Sequence, residues 1–598
     1  MSVSNTRTGL ERQGIGVSIE KPRNQWQTIN RLWGYMKKER LAVAIAMITV
    51  LLFTLLQLVG PWLIGIIIDD YILVRNVAGA IDMTWILAGT YIGAFVITYI
   101  QTLTMIFVAQ KTIRRLRQQL FEKLQRLPIP FFDRNQQGDI MSRVTNDIDS
   151  LNMALTQSIT QILSSILMVV GVAVAMFLME WRLALVALII IPLIVYVTKQ
   201  IIKRSSVNYR ARQRDLGQLN GYIEETISGT DIITLFGQEQ HVSEEFYAKN
   251  EKLRRSALHA ETISGMMGPF NNAMNGIGLT LVIGAGAYFI LKGYTTVGVL
   301  AAFVTYTRQF FRPINQLSNL LNVFQAAIAG AERVFDVLDE DDEPSDKAGA
   351  VEAKTFNGHV VFNDVSFAYE PNKAILKHVS FEAKPGDMIA LVGPTGSGKT
   401  TVMNLLTRFY DVGEGDISID GRNIHDYTMH SLREHVGIVL QDTYLFKGTI
   451  RDNIRFAKLD ATDEEVEEAA KVAYAHQFIR HLPDQYDTMI TSGGTNLSQG
   501  QRQLLAIARA ILEDPAILIL DEATSNVDTR TEVHIQQGLL NLMKGRTSFV
   551  IAHRLKTIEQ ADQILVLQQG EITERGNHEL LMEQRRFYYD MQTKLQQL

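Results

Sequence analysis

Residues 393–400 read GPTGSGKT, and residues 497–501 read LSQGQ. The first string fits GxxxxGK[ST], in which glycines let backbone N–H groups close around phosphate oxygens while a lysine reaches the terminal phosphates. Gly393, Pro394, Thr395, Gly396, Ser397, Gly398, Lys399, Thr400 and Thr401 are therefore the candidate nucleotide-binding residues. The second string puts a serine hydroxyl and small residues at the start of a predicted helix over 501–512, where the positive end of the helix dipole faces an anion. Ser498, Gln499, Gly500 and Gln501 form that candidate contact.

The residues around the first string supply the context it needs. Ile389 to Val392 is a short apolar strand leading into the glycines, and Thr401 to Phe409 has helical composition. Ala516 to Leu520 is a second buried-type strand ending in Asp521 and Glu522. Hydrolysis needs one carboxylate for a metal and another to take a proton from the attacking water, so Asp521 is the expected Mg²⁺ ligand and Glu522 the expected general base. Lys399 is expected on the β and γ phosphates, and Thr400 on the metal. His553 follows a third strand, 548–552, where an imidazole has one nitrogen for the γ phosphate and one for water, although a lone histidine at a strand end is more often incidental. Gln441, after Ile438 to Leu440, is either a surface glutamine or a sensor of water and metal. Tyr369 either stacks on a purine or belongs to an edge-strand core.

Working outward, composition divides the 598 residues in two. Residues 41–316 hold long apolar stretches almost free of charge, whereas 340–598 have the mixed make-up of an aqueous domain. A helix needs about 20 apolar residues to span the hydrocarbon layer. Six segments are expected to do so, near 41–68, 83–108, 155–178, 183–202, 266–291 and 296–311. Short links join them in pairs, while roughly 45 to 60 residues separate the second from the third and the fourth from the fifth. Those long stretches carry Arg114, Arg115, Arg117, Arg204, Arg210 and Arg212 among other cations, which places them and both termini on the cytoplasmic side. Leu116, Leu120, Leu124 and Leu127 continue a helical stripe, so the spans are expected to extend into the cytoplasm and turn near 130–138 and 227–239. Trp26, Ile29, Leu32, Trp33 and Met36 alternate with cations, as suits a helix lying in the membrane interface. Asn271, Asn275 and Arg308 are the candidate substrate path, since an ionisable group within a span marks a pathway by default; the alternatives for Arg308 are water at the inner end of its segment or a neighbouring helix.

Several classes are excluded. A net charge of −5 gives no electrostatic case for nucleic acid. The absence of cysteine removes disulfides, thiolate metal sites and a cysteine nucleophile. Residues 1–25 are polar, read as a cytoplasmic tail rather than a signal peptide. The expected fold class is an α-helical transmembrane domain over 26–336, an acidic solvated linker over 337–355, and an α/β P-loop ATPase domain over 356–598.

Taken in order, Tyr369, the phosphate loop, Gln441, LSQGQ, Asp521 with Glu522, Asp528 and His553 resemble the nucleotide-binding domain of ATP-binding cassette transporters. With six preceding spans the chain is similar to an ABC exporter half-transporter of the multidrug type. The resemblance implies ATP and Mg²⁺ as ligands, and a second half-transporter whose phosphate loop faces this chain's LSQGQ segment. It further implies adenine stacking on Tyr369, γ-phosphate sensing by Gln441 and His553, cross-dimer communication through Asp528, and a cell inner membrane location. The segment around Trp26 matches the family's elbow helix, and the cytoplasmic turns match its coupling helices. Two departures stand out: Gln499 replaces the usual glycine, and Thr491 to Gly494 reads TSGG where a glutamate is common. Beside intact Lys399, Glu522 and His553, that asymmetry favours a heterodimer, a homodimer being the alternative. The expected function is export of amphiphilic or hydrophobic compounds, the alternative a lipid or lipid A flippase. An ATP-gated channel, a peptide exporter and a soluble cassette ATPase fit less well.

Overall fold

The computed structural model describes residues 24–371, 373–440, 443–522, 528–552 and 558–596. The chain forms two units: one runs to Leu127 and resumes over Asn135–Asp341, and the other joins Pro128–Arg134 to Asp342–Leu598.

The first unit is helical, as apolar sequence in lipid requires, because a helix satisfies every backbone N–H and C=O within one segment. Helix α1 (Gln25–Met36) precedes α2 (Arg40–Ile66), and α3 (Val77–Leu124) returns. Two short helices make the first turn, α4 (Ile129–Arg134), which groups with the second unit, and α5 (Gln137–Ser142). Beyond it lie α6 (Ile148–Met153), α7 (Ile159–Met179), α8 (Trp181–Leu188) and α9 (Ile190–Ser228). The second turn is α10 (Thr230–Leu235), followed by α11 (Glu239–Gly265), α12 (Met267–Leu291) and α13 (Val297–Asp339). Among the described residues four helical runs are long and apolar enough to cross a membrane, namely Gln25–Ile72, Val77–Leu124, Gln137–Met179 and Glu239–Leu291. The other two expected segments are helical too: 183–202 spans α8 and α9, with a break at Ile189, and 296–311 opens α13. At 1.5 Å per residue the 48-residue α3 is about 72 Å long, far beyond a hydrocarbon layer of about 30 Å.

Polar clasps tie these helices together. Asp69, in the π-helical turn Ile67–Ile72 that closes α2, accepts from the Thr296 hydroxyl at 2.5 Å and from the Gly298 N–H at 2.8 Å, satisfying the free amide end of α13. Asp147 accepts two bonds from Arg333 of α13, at 2.5 and 2.9 Å. Gly330 lies against Asp147, where any side chain would crowd it. Arg31 of α1 makes a two-point ion pair with Asp339 and lies 4.3 Å over the Phe335 ring.

The second unit is built on β1 (Val360–Glu370), β2 (Lys373–Ala383), β3 (Met388–Val392), β4 (Glu414–Ile419), β5 (Arg422–Asn423) and β6 (Val436–Val439). It continues with β7 (Gly448–Thr449), β8 (Met489–Ile490), β9 (Ile517–Glu522), β10 (Thr547–Ala552), β11 (Gln563–Gln568) and β12 (Glu571–Gly576). The main sheet has the order β12-β11-β3-β10-β9-β6, parallel except at β12. Its buried runs of Val, Ile and Leu have apolar cores on both faces, as a parallel sheet requires. A second, antiparallel sheet, β2-β1-β4-β5, packs one face on that core.

Helix α13 runs to Asp339, into the expected linker, and the acidic stretch after it is mostly exposed and held at three points. Glu343 pairs with Arg433 at 2.7 Å, Asp346 accepts from the Met429 N–H, and Val351 bridges Tyr427. Charges spaced without apolar period still find partners when the neighbouring surface offers them.

Candidate functional site

The phosphate loop leaves β3 and enters α14 (Lys399–Leu406). Gly396 and Gly398 have φ of +80° and +106°, which L side chains avoid, and a Cβ on Gly398 would strike Leu376. The loop thus needs glycine for its path, and its amides converge at the N-terminal end of α14. Lys399 Nζ folds back to donate to the carbonyls of Gly393 at 2.8 Å and Pro394 at 3.0 Å. Burial pushes its ammonium pKa down, and the Asp521 carboxylate acts against that. Ser397, only 2 % exposed, has an Oγ with no hydrogen-bond partner. An unpartnered hydroxyl, a half-buried cation and free helix amides around one loop are donors awaiting an anion, so the residues present fit a polyphosphate. Thr400 is exposed, while Thr401 is buried in the core.

Sheet register brings the acids to the same edge. β10 pairs with β3 and β9 in parallel, Ile551 aligning with Leu391 and with Asp521, and Ala552 with Glu522. The carboxyl ends of β3 and β9 therefore face one side, where ligands bind in open parallel sheets. Asp521 is described and lies close enough to Lys399 to influence its charge. Of Glu522 the strand backbone is described; Gln441 and His553 lie outside the described residues. Among the described residues no group of three or more His, Asp or Glu forms a ready-made metal cage. The hard oxygens of Thr400 and Asp521 suit Mg²⁺, which usually completes its shell with phosphate and water.

Tyr369, the penultimate residue of β1, has 44 % of its surface exposed. Its hydroxyl donates to Thr401 Oγ1 at 3.2 Å and accepts from Asn404 Nδ2 at 3.1 Å, and the edges of Phe367 and Tyr410 hold the ring. Sequence reasoning missed Asn404 and Tyr410; the Phe409–Tyr410 pair just after α14 was the available signal. Tyr410 in turn donates to Asp133 of α4 at 2.6 Å. Burial, then the neighbouring Asp133 carboxylate, push its phenol upward, so it stays a donor.

The LSQGQ segment opens the helix Gln499–Glu513, with Ser498 as its N-cap. The Ser498 hydroxyl accepts from the Gln501 N–H at 3.2 Å, and the Gln501 side chain accepts from the Ser498 N–H at 3.0 Å, a reciprocal box. Gln499 is the first helical residue and not among the positive-φ positions, so replacing the usual glycine strains no backbone. The preceding TSGG turn does need glycine, with Gly493 at φ +74° and Gly494 at φ +70°. Ser498, Gln501 and Asp528 line one cavity of about 370 Å³ together with His534, and Asp528 caps its own helix by accepting from the Thr531 N–H at 3.0 Å.

In the helical unit Asn275 and Arg308 line a cavity of about 450 Å³, joined by Thr307, Arg312 and Gln316. Among the described residues the lining has two arginines and no acid. Asn271 is buried with an unpartnered Oδ1 and is not part of that lining.

The family described as ABC transporter transmembrane region matches residues 43–314, and that described as ABC transporter matches residues 376–525. A Bacillus subtilis protein named as the uncharacterized ABC transporter ATP-binding protein YfiC is 47 % identical over 564 residues, 94 % of this chain and 93 % of that protein. A fatty acid ABC transporter ATP-binding/permease protein of Mycobacterium tuberculosis is 42 % identical over 513 residues, covering 86 % and 81 %. The structure of a bacterial Atm1-family ABC exporter with ATP bound aligns at a TM-score of 0.73 with 29 % identity, covering 93 % of this chain and 98 % of that one.

Proposed function

This chain belongs to the ABC transporter family, its transmembrane region and ATPase fused in one polypeptide, and on that premise we propose that it exports amphiphilic or hydrophobic compounds by alternating access, as half of a dimer. The observation that carries the proposal is the phosphate loop whose Ser397 hydroxyl and Lys399 ammonium await an anion beside Asp521, on the same polypeptide as membrane-length helices.

In this reading Lys399 exchanges two carbonyls for β- and γ-phosphate oxygens, and Tyr369 offers its exposed ring face to the adenine. Thr400 and Asp521, with Gln441, would hold Mg²⁺, which neutralises charge developing on the phosphates. Glu522 takes the proton of the attacking water, while Gln441 and His553 sense the γ phosphate. Ser498 to Gln501 of this chain face the ATP held by the partner's loop, and Asp528 lies at that junction. Intact catalytic residues beside a variant LSQGQ favour a heterodimer over a homodimer. The membrane is the cell inner membrane, with the ATPase unit cytoplasmic.

The substrate path runs by Arg308 and Asn275, with Asn271 on the same helix as Asn275. Arginines with no acid in the lining favour an amphiphile bearing a carboxylate or phosphate, in keeping with the relative named as a fatty acid transporter. That same feature supports the second reading, a lipid or lipid A flippase. Inside-out vesicles given neutral dyes, a labelled fatty acid and labelled lipids, with and without ATP, test both. The expected result is ATP-dependent uptake that Arg308→Gln reduces for acidic amphiphiles alone. ATP cleavage with nothing moved across the bilayer would overturn the export reading.

A further inference from the structure

A second cavity in the helical unit shares no lining residue with the one at Arg308. It measures about 280 Å³, and its walls come from Trp26, Ile29 and Trp33 of α1, from Leu155, and from Phe324 and Ala327 of α13. Asn30 is the one lining residue with an amide or a hydroxyl. Such a space offers water too few partners to hold it, and cavities of this kind stay dry and take apolar guests. At about 30 Å³ per small group it has room for roughly nine methylene-sized units, a stretch of chain rather than a compact drug.

The helix that walls the cavity runs into charged sequence. Trp26, Asn30, Trp33 and Lys37 follow at spacings of four, three and four residues, which puts Lys37 at the end of the cavity-facing stripe. Lys37, Lys38 and Arg40 are exposed. Among the described residues none of the three makes an ion pair, since Glu39 between them is taken by Arg115 at 2.6 Å and Lys111 at 3.0 Å. An apolar slot under two tryptophans, on a helix followed by three cations that make no ion pair among the described residues, has the two-part chemistry of a lipid with a negative head.

We propose that this cavity is a resident site for an anionic phospholipid, one acyl chain lying between α1 and α13 and the phosphate held by Lys37, Lys38 and Arg40. It rests on the reading that places α1 at the inner surface of the membrane, and not on what the transporter carries. The lipid is a fixed companion of the helical unit rather than cargo.

The test uses the full chain in nanodiscs without nucleotide, so that its outcome is independent of transport. Trp62, Trp85 and Trp181 are replaced by Phe, leaving Trp26 and Trp33 as the emitters. Phosphatidylglycerol brominated along its acyl chains is expected to quench that emission about threefold more than brominated phosphatidylcholine at equal mole fraction. Ala327→Phe, which fills the cavity, and Ile29→Asp, on the half-exposed helix α1, should each abolish the excess. The triple change of Lys37, Lys38 and Arg40 to Gln should remove the headgroup preference and leave acyl quenching. Equal quenching by both lipids, or an excess that neither Ala327→Phe nor Ile29→Asp alters, would overturn the proposal in favour of bulk lipid. Quenching that appears only after residues 1–23 are deleted would overturn it in favour of the chain's own N-terminal segment as occupant.

Discussion

The Tyr410 hydroxyl donates a 2.6 Å hydrogen bond to Asp133 across 277 positions of sequence. One edge of that ring meets Tyr369, whose hydroxyl is fixed by Thr401 and Asn404 beside the phosphate loop, and Asp133 lies on the helical turn that continues into the membrane segments. The Tyr369 ring and the α4 turn are thus one side chain apart. Tyr410→Phe removes a bond to a charged acceptor, about 1.5–3 kcal/mol, and keeps the ring packing. Transport per ATP cleaved should fall by about tenfold with the ATPase rate little changed. The ratio measured in proteoliposomes checks this, and an unchanged ratio would remove the contact from the coupling path.

Lys399→Ala should leave the loop's amides in place and remove the cation that they frame. Labelled-ATP binding is expected to weaken by about a hundredfold, roughly the worth of two charge-assisted bonds. Glu522→Gln should do the opposite, retaining ATP on the protein while turnover drops by about 10²–10⁴. Loss of binding in the second variant, rather than of turnover, would remove Glu522 from the role of base.

Gln499 bears a side chain at a position where the backbone is regular helix, so Gln499→Gly costs at most about 1 kcal/mol of helix propensity. If the side chain hinders approach to the partner's nucleotide, ATPase activity should rise two- to threefold, about 0.5 kcal/mol of barrier. Steady-state hydrolysis alongside thermal unfolding separates the effects. A fall in rate at unchanged melting temperature would show that Gln499 makes a useful contact.

Glu513, at the end of the helix that Ser498 caps, has its carboxyl pKa pushed up to about 7 by burial, with Arg509 acting in the other direction. The folded chain therefore holds this proton more tightly than the unfolded chain, where the group has its ordinary value of 4.5. Stability from this group is full below the unfolded value and declines as pH rises to about 7, leaving a cost of roughly 3 kcal/mol above it. Glu513→Gln should flatten the fall in melting temperature between pH 4.5 and about 7 and raise it at pH 8. A slope identical to that of the parent would mean that the carboxylate is solvated.

The features legible from residue order were those carried by local chemistry. The glycine loop, the strand that feeds it and the acids ending β9 each have a short-range cause, namely positive φ, apolar β-branched runs and the edge at which parallel strands stop. The serine of LSQGQ likewise reads as a helix start, though the reciprocal bond with Gln501 that occupies it does not. Tyr410 with Asp133 and the burial of Glu513 had no periodic signature, because each depends on what a distant segment brings alongside. In the acidic stretch after α13, which is mostly exposed, composition gave no sign of the pairing of Glu343 with Arg433 for the same reason.

The grouping of Pro128–Arg134 with the ATPase unit has a consequence for biosynthesis. These seven residues leave the ribosome roughly two hundred positions ahead of Asp342, where the rest of their unit begins. At about 5–20 residues per second they wait for at least ten seconds or so while later spans are inserted. During that interval Phe131, buried in the finished protein, has no completed ATPase unit to join, and a nascent chain that stalls in it presents an apolar tip to chaperones and proteases.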